Sequence, residues 1–209
     1  GEFLRLQLLV DKGYHPLAYR MMCLQAHYRS ELEFSWEGLQ AALSRLNRIA
    51  IQMERLRSKT AFNFVRKEIE AVGIRGLRSR LAPTVEAMYV RDFDRVISDD
   101  LNTPKALPIF ETAIQNKRIS LRDRVRLAFL MDAVLGLNVE ILSRKSLRIR
   151  PKPGNQYSFL NREVDSLVHA RRILKSRREF AASDLIRDLL IKDGVNLMDG
   201  DPLGWEWKL

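Results

Sequence analysis

Cysteine is nearly absent from this chain of 209 residues, with Cys23 the single example. One thiol cannot close an internal disulfide or build a cysteine-rich zinc site, so both kinds of staple are excluded and a reducing compartment, the cytoplasm, is expected. Histidine is almost as scarce, and His15 and His169 have no Cys, Asp or Glu at ligand spacing. No apolar run approaches the roughly 20 residues of a membrane helix. Gly1-Glu2-Phe3 lacks the basic start and apolar segment of a signal peptide. Repeats and low-complexity tracts are missing as well.

What the chain has in excess is positive charge. A net charge of +10 and a pI near 10.0 call for an anionic partner, without choosing between RNA, DNA, an acidic protein and a membrane. From Arg144 to Lys192 there are thirteen basic residues against five acidic ones, a net +8. A charge run is usually only a solvated face, but one this lopsided favours polyanion binding.

The hydrophobic spacing is mainly helical. A short helix is expected from Leu4 to Lys12, ended by Gly13, and another from Pro16 to about Ala26. Ser35 can cap a long helix whose Leu39, Leu43, Leu46, Ala50, Met53 and Leu56 form one apolar stripe. Residues 58–82, with two glycines and several arginines, read as a loop or a broken helix. Thr84 and Thr103 are candidate caps, the second followed by Pro104. Ser120 caps a helix presenting Val125, Ala128, Met131 and Leu135 before Gly136. Pro151-Lys152-Pro153-Gly154 reads as a linker. Beyond it come helices over about 161–175 and 178–192, then strands near 195–198 and 205–208 joined by turn residues. The expected fold is a helical bundle followed by a small α+β module containing a β-hairpin, divided as a connecting segment (1–34), a bundle (35–150) and the module (155–209).

Three separated stretches resemble the cysteinyl-tRNA synthetases. Gly13-Tyr14-His15-Pro16-Leu17-Ala18-Tyr19-Arg20, with Ala26-His27-Tyr28-Arg29-Ser30 and Phe34-Ser35, is similar to the segment after that family's lysine-rich ATP signature. Asp99-Asp100-Leu101-Asn102-Thr103-Pro104-Lys105-Ala106 matches a motif of its helical tRNA-binding domain. Phe180-Ala181-Ala182-Ser183-Asp184-Leu185-Ile186-Arg187-Asp188, Gly194-Val195 and the Trp-ended tail match its anticodon end, with Ser183 in place of Ala and Val195 in place of Ile. The resemblance implies the tRNA-binding region after the Lys-Met-Ser-Lys-Ser loop. Partners would be the tRNA for cysteine and the family's catalytic domain, with no DNA or membrane. ATP and zinc belong to that domain, whose His-x-Gly-His and Lys-Met-Ser-Lys-Ser signatures do not occur in these residues. The chain by itself is expected to be catalytically inactive.

Unpaired bases are read by stacking and by hydrogen bonds to their edges, work suited to Arg, Asp and Trp. By resemblance that role falls on Arg171, Arg178, Asp184, Arg187, Asp188, Asp199 and Trp207, with Lys175 beside them as a further RNA-binding residue. Asp184 and Asp188 can equally be salt-bridge partners of the arginines. Phe180, Ile186, Leu189 and Leu190 read as the packed side of the last helix, and Cys23 as a small buried hydrophobe. Asp99 and Asp100 suit the positive end of the following helix dipole, and His27, Tyr28 and Arg29 suit packing and hydrogen bonding. The one-residue-longer turn after Asp199 and the bulky Trp205 depart from the family pattern. Two other functions remain open: a free-standing synthetase-derived RNA-binding module, and the C-terminal half of a ligase joining cysteine to an amino-sugar.

Overall fold

A computed structural model describes residues 5–152 and 159–209. The expectations for residues 1–4, including the helix start at Leu4, and for Pro153 and Gly154 of the linker lie outside the described residues. Two compact units divide the chain, one of Leu17–Ser146 and one of Gly1–Pro16 with Leu147–Leu209. The stretch 1–34 is thus shared between them, with α1 (Leu6–Asp11) in the second unit and α2 (Pro16–Leu24) almost wholly in the first.

The first unit is a helical bundle. α3 (Trp36–Arg57) starts where the Ser35 hydroxyl accepts from the Gly38 N–H at 3.0 Å, and every residue of its Leu39-to-Leu56 stripe is buried. Residues 58–82 contain α4 (Thr60–Leu77), a helix interrupted where Gly73 adopts φ 68° and ψ 173°, a backbone state essentially confined to glycine. A short 3-10 turn, Arg78–Arg80, follows.

Thr84 is not a cap. The next helical run opens at Pro83, whose fixed φ and missing N–H suit the first turn, and passes through α5 (Pro83–Val85) and a π-turn at Glu86–Val90 into α6 (Arg91–Ser98). Thr103 is likewise displaced. Asn102 caps α7 (Thr103–Gln115) by accepting from the Lys105 N–H, since its amide oxygen reaches one residue earlier than the threonine hydroxyl is placed to do. α8 (Leu121–Leu135) is capped by Ser120 and stopped by left-handed Gly136. Its Val125, Ala128, Met131 and Leu135 are all buried. Cys23 is exposed, because α2 turns Ala18, Met21 and Met22 inward and leaves position 23 outside.

Asp100 stands just before α7. It accepts from the Tyr28 hydroxyl at 2.5 Å and pairs with Arg29 at 2.9 Å, while Asp100 and Leu101 both adopt left-handed backbone. The side chains of Tyr28 and Arg29 are therefore tied to the turn before α7, with the His27 Nε2 3.9 Å from the same carboxylate.

In the second unit α9 (Asn161–Ser176) and α10 (Phe180–Lys192) pack on an antiparallel hairpin of β1 (Val195–Leu197) and β2 (Trp205–Trp207), with Val195 opposite Trp207 and Leu197 opposite Trp205. Alternation along β2 puts both tryptophans on one face, where they join Val164, Val168, Leu190 and Val195 in a core. α1 is tied to this unit by Lys152, whose N–H donates to the Asp11 carbonyl at 2.8 Å and whose ammonium pairs with the Asp11 carboxylate at 2.9 Å.

Candidate nucleic-acid interface

The eight residues assigned by resemblance fall into four environments. Arg171 on α9 is buried, and its guanidinium grips Asp199, just past β1, with bonds of 2.6 and 2.9 Å. Lys175, one turn further along α9, reaches the same carboxylate at 2.8 Å. These three form a clamp that holds the hairpin against α9. The hydrogen bonds from Arg171 and Lys175 hold the Asp199 carboxyl far below the usual carboxylate range.

A depressed folded-state pKa means that this stabilisation is fully present above the unfolded value, about 4, and is lost as pH falls through the folded value. Wild type is therefore expected to melt above Asp199→Asn at neutral pH, with the gap closing below about pH 4. A gap that stays constant from pH 7 to pH 3 in thermal melts would show the clamp to be electrostatically idle.

Arg187 lies between Asp184 and Asp188, 3.1 Å from each. All three sit on α10, with side chains roughly half exposed, so the arginine is steadied but still open to a ligand.

Arg178 stands in the turn between α9 and α10 and is exposed. There the Glu179 N–H bonds back to the Leu174 carbonyl at 2.9 Å and the Arg178 N–H to the Lys175 carbonyl at 3.1 Å, the paired closure that usually ends a helix on glycine. Arg178 holds φ 62° in that place, a conformation costing a residue with a Cβ on the order of 1 kcal/mol.

Trp207 is buried. Its indole N–H donates to Asn161 at 2.9 Å, and its ring meets Trp205 edge-on at 5.3 Å. It offers no open face for a base, because the hairpin pleat turns it into the core along with Trp205. Trp205 in turn donates to Asp165 at 2.7 Å and lies under the Arg148 guanidinium at 3.9 Å.

Among the described residues of this unit the exposed aromatic is a different one. Phe180, expected on the packed side of α10, is 60% exposed at the start of that helix, two residues after Arg178. Leu189 is exposed as well, and it is Ser183, Ile186 and Leu190 that face inward. The signal was in the spacing: Ser183, Ile186 and Leu190 step by three and four, and Phe180 lies off the centre of that stripe. Arg177, Arg178 and Phe180 together present two guanidinium groups and an open ring in one short turn.

Among the described residues no group of three or more His, Cys, Asp or Glu side chains is placed to hold a metal ion, and no helix is long and apolar enough to cross a membrane.

No protein-family profile matches the chain. It is 49% identical over 209 residues to a cysteine–tRNA ligase of Novosphingobium aromaticivorans, a match that takes in 100% of this chain and 39% of that protein. A cysteine–tRNA ligase of Zymomonas mobilis is 41% identical over 229 aligned positions, covering 100% of this chain and 43% of the relative. One from Borreliella burgdorferi is 30% identical over 202, with 95% and 39% covered. The chain thus spans about two fifths of the length of the relatives it matches. It belongs to the cysteine–tRNA ligase family, as a stretch consistent with a C-terminal part of its members.

Proposed function

We propose that this chain is the tRNA-binding portion of a cysteine–tRNA ligase, and that its second unit meets the anticodon. The enzyme of which it forms part attaches cysteine to its tRNA with ATP, and the chemistry resides in a catalytic domain outside these residues. The supporting observation is the turn between α9 and α10, where Arg177, Arg178 and Phe180 are all exposed. Phe180 supplies the stacking face, and Arg178 and Arg187 supply forks for base edges or phosphates. Arg171, Lys175 and Asp199 act by holding the hairpin in place, and Trp207 by filling its core.

With about five phosphate contacts, log affinity for the tRNA is expected to fall against log salt with a slope of roughly −4. Changing the anticodon is expected to weaken binding in the wild type and to have little effect once Phe180 and Arg178 are both replaced by Ala. A fluorescence titration that detects no tRNA binding at low salt would dispose of the reading. Equal affinity for the two anticodons would leave phosphate binding and remove anticodon recognition.

A further inference from the structure

The folded units redistribute the charge. Leu17–Ser146 holds twenty-two basic and fifteen acidic residues, net +7, whereas Gly1–Pro16 with Leu147–Leu209 holds fourteen and eleven, net +3. The acidic hairpin, with Asp199, Asp201 and Glu206, offsets much of the basic helix pair in the second unit. Most of the excess therefore lies on the bundle, where the anticodon assignment leaves it unused.

Much of the bundle's arginine is consumed internally. Arg66 pairs with Glu70 and Glu140, Arg78 with Glu86 and Asp94, and Arg126 with Glu68 and Asp123. One group on α4 and α8 is different. Phe64 is 42% exposed, and the guanidinium of the exposed Arg122 lies over its ring, 4.0 Å from the centroid. Lys67, three residues on from Phe64, is exposed on the same face of α4, and among the described residues neither it nor Arg122 forms a close ion pair, Arg122 acting on Glu68 only as a nearby charge. The turn leading into α8 adds Lys117 and Arg118, both exposed. A half-exposed ring with a guanidinium over it and exposed cations around it is the equipment that holds single-stranded or splayed nucleic acid, since every base has a face to stack and every link carries a phosphate.

We propose that Phe64, Lys67 and Arg122 form a second RNA contact, on the bundle, that takes phosphates and an unstacked base of the tRNA irrespective of sequence. This rests on the tRNA-binding reading and deepens it by naming residues on the bundle, two of which, Phe64 and Lys67, fall in the stretch 58–82 that the sequence left unplaced.

The test is a salt-dependent titration of the full chain with transcribed tRNA for cysteine, comparing wild type with Lys67→Ala/Arg122→Ala and with Phe64→Ala. The double variant is expected to bind about tenfold or more weakly at 0.1 M salt, with a log–log slope shallower by roughly 1.5. Phe64→Ala is expected to lose roughly tenfold with the slope unchanged. Both losses should be the same factor on a tRNA with a changed anticodon. If the double variant keeps the wild-type slope and affinity, the proposal is overturned, and a lowered melting temperature alone would mark the trio as surface packing. If wild type discriminates no anticodon but the double variant still flattens the slope, the anticodon reading fails and this contact stands. If wild type binds no tRNA, both fall.

Discussion

Trp205→Ala is expected to unfold the second unit while the bundle stays folded. Trp205 is the largest fully buried side chain among the described residues, at 1% exposure, in a core built from only a few residues. Truncating a buried tryptophan costs about 3–5 kcal/mol. The loss also strips Asp165 of its indole donor and Arg148 of the ring beneath it, and marginal stabilities of about 5–15 kcal/mol leave a small unit little reserve. Hydrogen exchange should show protection lost in α9, α10 and the hairpin and kept in α3, α7 and α8, with tRNA affinity falling alongside. Trp205→Phe keeps most of the apolar contact and forfeits the hydrogen bond, for about 1–2 kcal/mol. Retained protection of α9 and α10 in the alanine variant would refute this account of the core.

The bundle has its own point of greatest sensitivity at Arg126. Its guanidinium makes a two-pronged pair with Glu68 at 2.8 and 2.9 Å, reaches Asp123 at 3.0 Å and donates to the Arg80 carbonyl at 2.6 Å. Glu68 and Asp123 are both buried. Arg126→Ala leaves Glu68 with only the more distant Arg80, at 4.0 Å, and Asp123 with only the Ser120 hydroxyl, and breaking a buried pair from one side costs up to about 3–5 kcal/mol. The hydrogen bonds from Arg126 also hold the Glu68 carboxyl below its ordinary value, so the variant should recover part of its loss in mild acid as Glu68 takes up a proton. Replacing Glu68 and Arg126 together by Gln and Met should be far gentler than either change alone. A double-mutant cycle in chemical denaturation measures this, and additive losses would contradict the account.

The long helices, their serine caps and the hairpin were legible because each is written locally: a 3.6-residue stripe, a cap side chain, a turn rich in Gly, Asp and Pro. Residues 58–82 were not, because the single non-helical residue at Gly73 breaks the period without ending the helix. The motif residues could be named in the sequence, but the contacts they make within the fold could not. Arg171 and Asp199 are twenty-eight residues apart and meet only through the fold. The inward turn of Trp207 depends on the hairpin register, and the outward turn of Phe180 on which stripe of α10 the hairpin covers.

The second unit is assembled from both ends of the sequence, Gly1–Pro16 and Leu147–Leu209, with the whole bundle interposed. During synthesis the bundle has all its residues in hand well before its neighbour does, so it is free to fold first, as domains made earlier generally do. α1 must wait until Lys152 has emerged before Asp11 can find its partner. A prefolded bundle spares that encounter the search entropy of a long flexible loop, because it fixes how far apart its own two ends lie. Mutations that slow the bundle should therefore delay the second unit too, although they touch none of its residues.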